Sequence, residues 1–136
     1  MKKVFVFLVV LSIAAVSFAD NCPIAKFYKV DSGIYRGAAP GEKGMQHLKD
    51  KGIKAIIDLR TGKASVLKEK RLAEKLAIRY INIPLNPIYG LLEQKQVEMF
   101  LKITKDPKNR PVFIHCHNGV HRTGRMVAVY LKDALE

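Results

Sequence analysis

Short apolar runs alternate along this chain with stretches in which apolar residues recur every three or four positions. Residues 53–59 (IKAIIDL) are short and rich in β-branched side chains and read as a buried strand, 78–83 (IRYINI) reads as a second strand, and 111–115 (PVFIH) as a short apolar one. Between them, 65–77 places Val66, Leu67, Leu72, Ala73 and Leu76 near helical spacing, and 93–105 does the same through Val97, Phe100, Leu101 and Thr104. Residues 42–51 carry Met45 and Leu48 on one helical face and stop at Gly52, and 122–135 reads as a final helix. Near the start, 27–30 and 34–36 flank the turn-forming triplet Asp31-Ser32-Gly33, which predicts a hairpin. Pro84, Pro87 and Gly90 make the segment after the second strand a loop, and 106–110 is a break before the third. Strands alternating with helices predict an α/β fold, with a central, mainly parallel sheet flanked by helices. Ligands of such sheets bind beyond the carboxyl ends of the strands, so the turn after His115 is where chemistry is expected.

The amino-terminal residues stand apart from this pattern. Lys2 and Lys3 precede residues 4–19, of which fourteen of sixteen are apolar, and Ser17-Phe18-Ala19 offers small residues at −3 and −1. That is the layout of a secretory signal, and the stretch is too short and too interrupted for a retained spanning helix. The expected division is a signal peptide over 1–19 and one domain over 20–136, exported to a periplasmic or extracellular space and without a membrane span after cleavage. Removing 19 residues, which include two lysines and no acid, leaves 117 residues and lowers the formal charge from +12 to +10. A basic domain suggests an anionic partner without naming it. Basic residues spread over several helices, with no interleaved aromatic-and-basic motif, argue against nucleic acid. Cys22 and Cys116 lie at opposite ends of the mature chain, and in an oxidising compartment a bridge between them is open.

The turn itself reads His115-Cys116-His117-Asn118-Gly119-Val120-His121-Arg122-Thr123-Gly124. A tight loop ending at a helix N-terminus turns backbone N–H groups and the positive end of the helix dipole toward one point, which favours an anion. Gly119 allows the curl, and Arg122 can grip two oxygens of a tetrahedral oxyanion as a fork. Cys116 sits in the same positive field, which lowers a thiol's pKa and leaves a nucleophilic thiolate. A thiolate facing a bound phosphate points to phosphoryl transfer onto sulfur.

His-Cys-(five residues)-Arg-Thr-Gly resembles the signature loop of the cysteine-dependent protein tyrosine and dual-specificity phosphatases. The wider chain is similar to small bacterial dual-specificity-like members through 30–40 (VDSGIYRGAAP), 52–60 (GIKAIIDLR), 79–84 (RYINIP) and 110–124. The resemblance implies Cys116 as the nucleophile that forms a phosphocysteine, and Arg122 as the residue holding the phosphoryl oxygens. It implies Thr123 as the hydroxyl that assists the thiolate, and His115 as a buried residue orienting the cysteine. The amides of His117, Asn118, Gly119, Val120, His121 and Arg122 would bind phosphate. No cofactor is implied, and the four histidines lack a zinc spacing.

In two respects the chain departs from that family. The acid usually supplied about thirty residues before the cysteine is missing: 83–92 (IPLNPIYGLL) contains no carboxylate, and Asn86 stands near the expected place. Candidates for the proton donor are Asp58, at the carboxyl end of a strand, whose plainer role is to pair with Arg60 or cap the next turn, and His121, inside the loop; Glu93 reads as a helix-start residue. The second departure is that only twelve residues follow Gly124, where relatives usually continue further. The expected activity is hydrolysis of phosphate monoesters in a phosphoprotein, an inositol phosphate or a phospholipid. The alternative is a non-catalytic phosphate-binding module of the same fold. Phosphotyrosine needs a deep cleft, whereas inositol phosphates and lipid head groups suit a shallow basic one. The oligomeric state is not legible in the sequence.

Overall fold

A computed structural model describes residues 21–88 and 91–136. The expected signal peptide, 1–19, lies outside the described residues. A hairpin of β1 (Tyr28–Asp31) and β2 (Ile34–Gly37) opens the fold, its turn tied by the Gly33 amide donating to Asp31 Oδ1 at 2.8 Å. There follow α1 (Gly41–Asp50), β3 (Ala55–Asp58), α2 (Lys63–Lys75), β4 (Arg79–Asn82) and α3 (Gln94–Lys105). A short 3₁₀ turn, Pro107–Asn109, leads into β5 (Val112–His115) and α4 (His121–Leu135). The five strands lie in the order β1-β2-β5-β3-β4, antiparallel at the β1–β2 hairpin and parallel elsewhere. This is the α/β architecture expected, with the Cys-x5-Arg loop joining the last strand to the last helix.

The predicted and observed elements differ mainly at their ends. Residues 53–54 fall outside β3, because the Ile53 amide closes the end of α1 on the Leu48 carbonyl at 3.0 Å. Gly52 makes that closure possible by adopting a φ of +81°, which a side chain would resist.

Successive strand residues point to opposite faces, and each face carries its own core. Ala55, Ile57, Val112 and Ile114 pack with Phe100 and Ile103 of α3 and Met126, Val127 and Tyr130 of α4. Ile56 and Phe113 face the other way, onto Met45 and Leu48 of α1 and Ala73 of α2. Each fully buried Ile, Leu or Phe contributes about 1.5–3 kcal/mol relative to exposure. Among the described residues, no helix is long and apolar enough to cross a membrane.

Parallel register brings the strand ends level. Asp58 of β3 pairs with His115 of β5 and with Asn82 of β4, and Gly37 of β2 pairs with His115 from the other side. The carboxyl edge of the sheet is therefore one shelf, with the loop from 116 to 120 standing on it.

Candidate active site

Alternation along β5 divides the roles of two neighbours. His115 turns toward the α1/α2 face, while Cys116, the next residue, belongs to the core on the α3/α4 face beside the start of α4. The loop between them and α4 is pinned from behind. The Ala39 amide donates to the His117 carbonyl at 3.1 Å, the Leu59 amide to the His115 carbonyl at 2.9 Å, and Arg36 Nη2 to the Gly119 carbonyl at 3.0 Å. Gly119 has a φ of +72°, and a Cβ there would lie 2.4 Å from the Gly37 carbonyl carbon. No residue with a side chain fits that contact, so the glycine inferred from the motif is demanded twice, by conformation and by space.

With its carbonyl held by Arg36, Gly119 turns its N–H to Cys116 Sγ at 3.3 Å. Burial alone would push the Cys116 thiol up. The Thr123 hydroxyl and amide, the Gly119 amide and the positive charge of Arg122 outweigh it and bring the pKa down to about 7. The Thr123 hydroxyl is buried with no hydrogen-bond partner of ordinary geometry, and its influence falls on the cysteine, whose pKa it helps to lower. Arg122 is braced by its Nη1 donating to the Leu59 carbonyl at 3.4 Å, a long contact that leaves the rest of the fork for a ligand.

A recess of about 190 Å³ opens over the sulfur, lined by Pro87, Cys116, His117, Asn118, His121 and Arg122. The structure thus gathers five of the predicted site residues around one space. Gly119 and Thr123 are buried behind it, and Val120 is on the surface without lining it. His115 is fully buried beneath, its Nδ1 2.9 Å from the Cys116 carbonyl oxygen.

The candidate acids are placed differently. Asp58 lies at the expected sheet edge but is completely buried and does not line the recess. Its own burial would raise its pKa, yet Arg60, His115 and Tyr80 together hold it below the ordinary carboxylate range. Such a carboxylate is a fixed structural anion, as its pairing with Arg60 suggested, and it is poorly suited to deliver a proton. Glu93 forms a reciprocal capping box with Gln96 at the start of α3. Asn86 accepts the Ile88 amide at 2.9 Å, and among the described residues of its segment Pro87 is the one that lines the recess. His121 remains on the recess itself. His117 lines it too, but also faces a second recess of about 250 Å³ beside Ala39, Met45 and Lys68.

Beneath the loop the pairing of Asp58 with Arg60 is joined by two partners that sequence reading missed, Glu69 and Tyr80. Arg60 forks onto Asp58, with Nε 3.0 Å from Oδ1 and Nη2 2.8 Å from Oδ2, and the same Nη2 reaches Glu69 Oε2 at 2.6 Å. Glu69 Oε1 lies 2.6 Å from His115 Nε2, and the Tyr80 hydroxyl donates to Asp58 Oδ2. A signal for Glu69 was present, since it falls on the inward stripe of Val66, Leu72, Ala73 and Leu76, where a carboxylate needs a partner. Asp58, Glu69 and His115 offer ligand atoms within 4.8 Å of one another, but the Arg60 guanidinium already bonds both carboxylates and Glu69 also bonds His115, so these atoms are engaged with protein partners and the set does not call for a metal. Cys22 and Cys116 are both free thiols, and Cys22 packs against the α1/α2 core.

A family model described as "DSP-PTPase phosphatase fused to NAD+ kinase" matches residues 14–135. The chain is 31% identical over 107 residues to NAD kinase 2 of Arabidopsis thaliana, covering 74% of this chain and 11% of that one. It is 28% identical over 114 residues to inositol diphosphatase DSP4 of the same plant, covering 81% of this chain and 57% of the relative. It is also 31% identical to the Dictyostelium discoideum protein named "Probable tyrosine-protein phosphatase DG1060", covering 84% and 70%. The chain therefore spans about a tenth of the plant NAD kinases and about half of the inositol diphosphatases it matches. Among solved structures, the catalytic core of the PP-IP phosphatase SIW14 from S. cerevisiae superposes with a TM-score of 0.71 at 23% identity, covering 81% of this chain and 67% of that one. P. aeruginosa TpbA gives 0.63 at 20%, covering 76% and 61%. With the Cys-x5-Arg loop in place and the family matched across nearly all of the described residues, the chain belongs to the DSP-PTPase family of cysteine-dependent dual-specificity phosphatases.

Proposed function

We propose that this domain hydrolyses phosphate monoesters by way of a phosphocysteine on Cys116. The observation that carries the reading is the Cys116 thiol, brought to about 7 inside a loop whose Gly119 amide and Arg122 converge on it. In the first step the thiolate attacks phosphorus, a P–S bond forms, and the ester P–O bond breaks as the leaving oxygen takes a proton. In the second, water attacks phosphorus, releasing inorganic phosphate and restoring the thiolate. Arg122 and the amides of residues 117–122 stabilise the equatorial oxygens in both steps. Thr123 supports the departing thiolate, and His115 fixes the strand end from which Cys116 projects. His121 supplies the proton: its imidazole lines the recess, whereas Asp58 is sequestered beneath it.

The substrate class we favour is an inositol phosphate. A recess lined by two histidines and an arginine suits a multiply anionic ring, and inositol diphosphatases are among the relatives. We place the activity outside the cytoplasm, on the signal-like residues 1–19. Purified protein assayed on aryl phosphate, phosphopeptide, inositol phosphate and phospholipid tests the class. Cys116→Ser abolishes turnover on every active substrate and keeps phosphate binding; unchanged turnover in that variant would refute the mechanism. The second reading, a phosphate-binding module without turnover, is favoured by the carboxylate-free segment 83–92 and predicts no phosphate release from any of the four.

A further inference from the structure

Beneath the nucleophile lies a buried group of four charged side chains whose hydrogen bonds fix a proton. His115 is fully buried, and each of its ring nitrogens meets an acceptor: Nδ1 the Cys116 carbonyl oxygen at 2.9 Å, Nε2 the Glu69 Oε1 at 2.6 Å. A carbonyl oxygen can only accept, so Nδ1 carries a hydrogen. Glu69 is bound through its other oxygen by Arg60 at 2.6 Å, which keeps it a carboxylate, so Nε2 carries a hydrogen as well. The ring is then an imidazolium, stacked on Phe113 with centroids 5.5 Å apart.

We propose that Glu69, from α2, is a positioning residue of the phosphatase site: it holds His115 as an imidazolium whose Nδ1–H clamps the Cys116 carbonyl, and so sets the orientation and reactivity of the nucleophile. The inference rests on the phosphatase reading only for its kinetic consequence. Charge closes within the cluster, with Asp58 and Glu69 negative and Arg60 and His115 positive, which is what allows four ionic groups to lie inside. The groups facing His115 are Glu69 from α2, Asp58 from β3 at 4.0 Å, and Cys116 of its own strand end, with Arg60 bridging the two carboxylates and Tyr80 of β4 bonded to Asp58. Burial lowers the His115 pKa, but the Glu69 hydrogen bond and charge, joined by Asp58, raise it above the ordinary histidine value, in agreement with the hydrogen-bond directions. Neither Glu69 nor its helix touches the recess over Cys116, so the residue acts there through the groups it bonds, His115 directly beneath the cysteine and Arg60 on its other oxygen.

The test is nitrogen NMR of the His115 ring in the intact protein, together with the pH dependence of Cys116 alkylation by iodoacetamide and of turnover, in wild type, Glu69→Gln and Glu69→Asp. The expected result is a doubly protonated His115 at pH 7.5 in the wild type and its loss in Glu69→Gln. In that variant the alkylation midpoint moves upward and kcat falls about 10- to 100-fold, the scale of a misplaced reacting group, with KM changed less than about twofold. Glu69→Asp, which keeps the charge, recovers part of both. A singly protonated His115 in the wild type overturns the proposal whether or not the variants fold. So does a folded Glu69→Gln protein with unaltered alkylation and pH profile. Ring protonation and alkylation require no turnover. A protein that shows the Glu69-dependent imidazolium but hydrolyses nothing would sink the phosphatase reading and leave this one standing.

Discussion

The two walls of the recess are built on different principles. One wall, 116–122, is fixed from β2 and the residues after it: Ala39 and Arg36 hold the His117 and Gly119 carbonyls, Gly119 is pressed against Gly37, and the Leu59 amide holds the His115 carbonyl just before the loop. The other, 84–88, contributes Pro87 to the recess, carries a self-capping Asn86, and exposes Ile88. The first wall contains everything needed to bind a phosphate and attack it, and the second lacks the carboxylate that would protonate the leaving oxygen. Binding with attack and proton delivery are thus separable here, which is the condition under which leaving-group chemistry decides the rate.

The largest break in that contrast comes from the rigid wall. Arg122→Lys keeps a positive charge but loses the fork, and kcat/KM on aryl phosphate falls roughly 100- to 1,000-fold, as when a transition-state donor is removed; steady-state kinetics on a folded variant would read it, and a loss under about fivefold would mean the guanidinium does not hold the phosphoryl group. The plain wall gives a smaller effect of opposite sign. Asn86→Asp supplies the missing carboxylate and raises turnover of alkyl phosphates about tenfold or more, while aryl phosphates, which need less protonation, change by less than about threefold. No gain on alkyl substrates would show that His121 already suffices, and the two walls would no longer differ in function.

Two titrations sharpen the comparison further. Cys116 alkylation follows a single rise with a midpoint at about 7, its thiolate favoured above that pH; a midpoint at the value of a free thiol would contradict the field of the loop. The smallest effect lies in stability. His115 has a raised value in the folded protein, so its contribution is complete below the unfolded histidine value and is lost as pH rises through the folded one. Asp58 is depressed, so its contribution is present above the unfolded carboxylate value and is lost as pH falls through the folded one. Tm measured against pH therefore declines on both sides of a plateau, and Glu69→Gln flattens the alkaline decline.

Most of the scaffold was legible from periodicity, because short β-branched runs and three-to-four spacing report local structure directly. The loop was legible because its glycine, arginine and cysteine act on one another across six residues. Glu69 and His115, by contrast, are 46 positions apart and meet only when α2 folds back over β5. Arg36 likewise reaches the Gly119 carbonyl across 83 positions. The sequence marks such residues as charges in half-apolar surroundings without naming their partners. The pairing of Asp58 with Arg60 was foreseen, since two residues apart is close enough to read locally, and it is what removes Asp58 from the contest for the proton.

The alternation that sends His115 and Cys116 to opposite faces makes β5 intolerant of changes in length. Deleting one residue among 112–114 would reverse the side chains that follow it in the strand, carry the sulfur toward α2 and the imidazole toward α4, and abolish the site without altering any residue in it. Exchange of one residue for another keeps that parity, whereas the segment 84–88, which belongs to no strand or helix, places no such condition on its length.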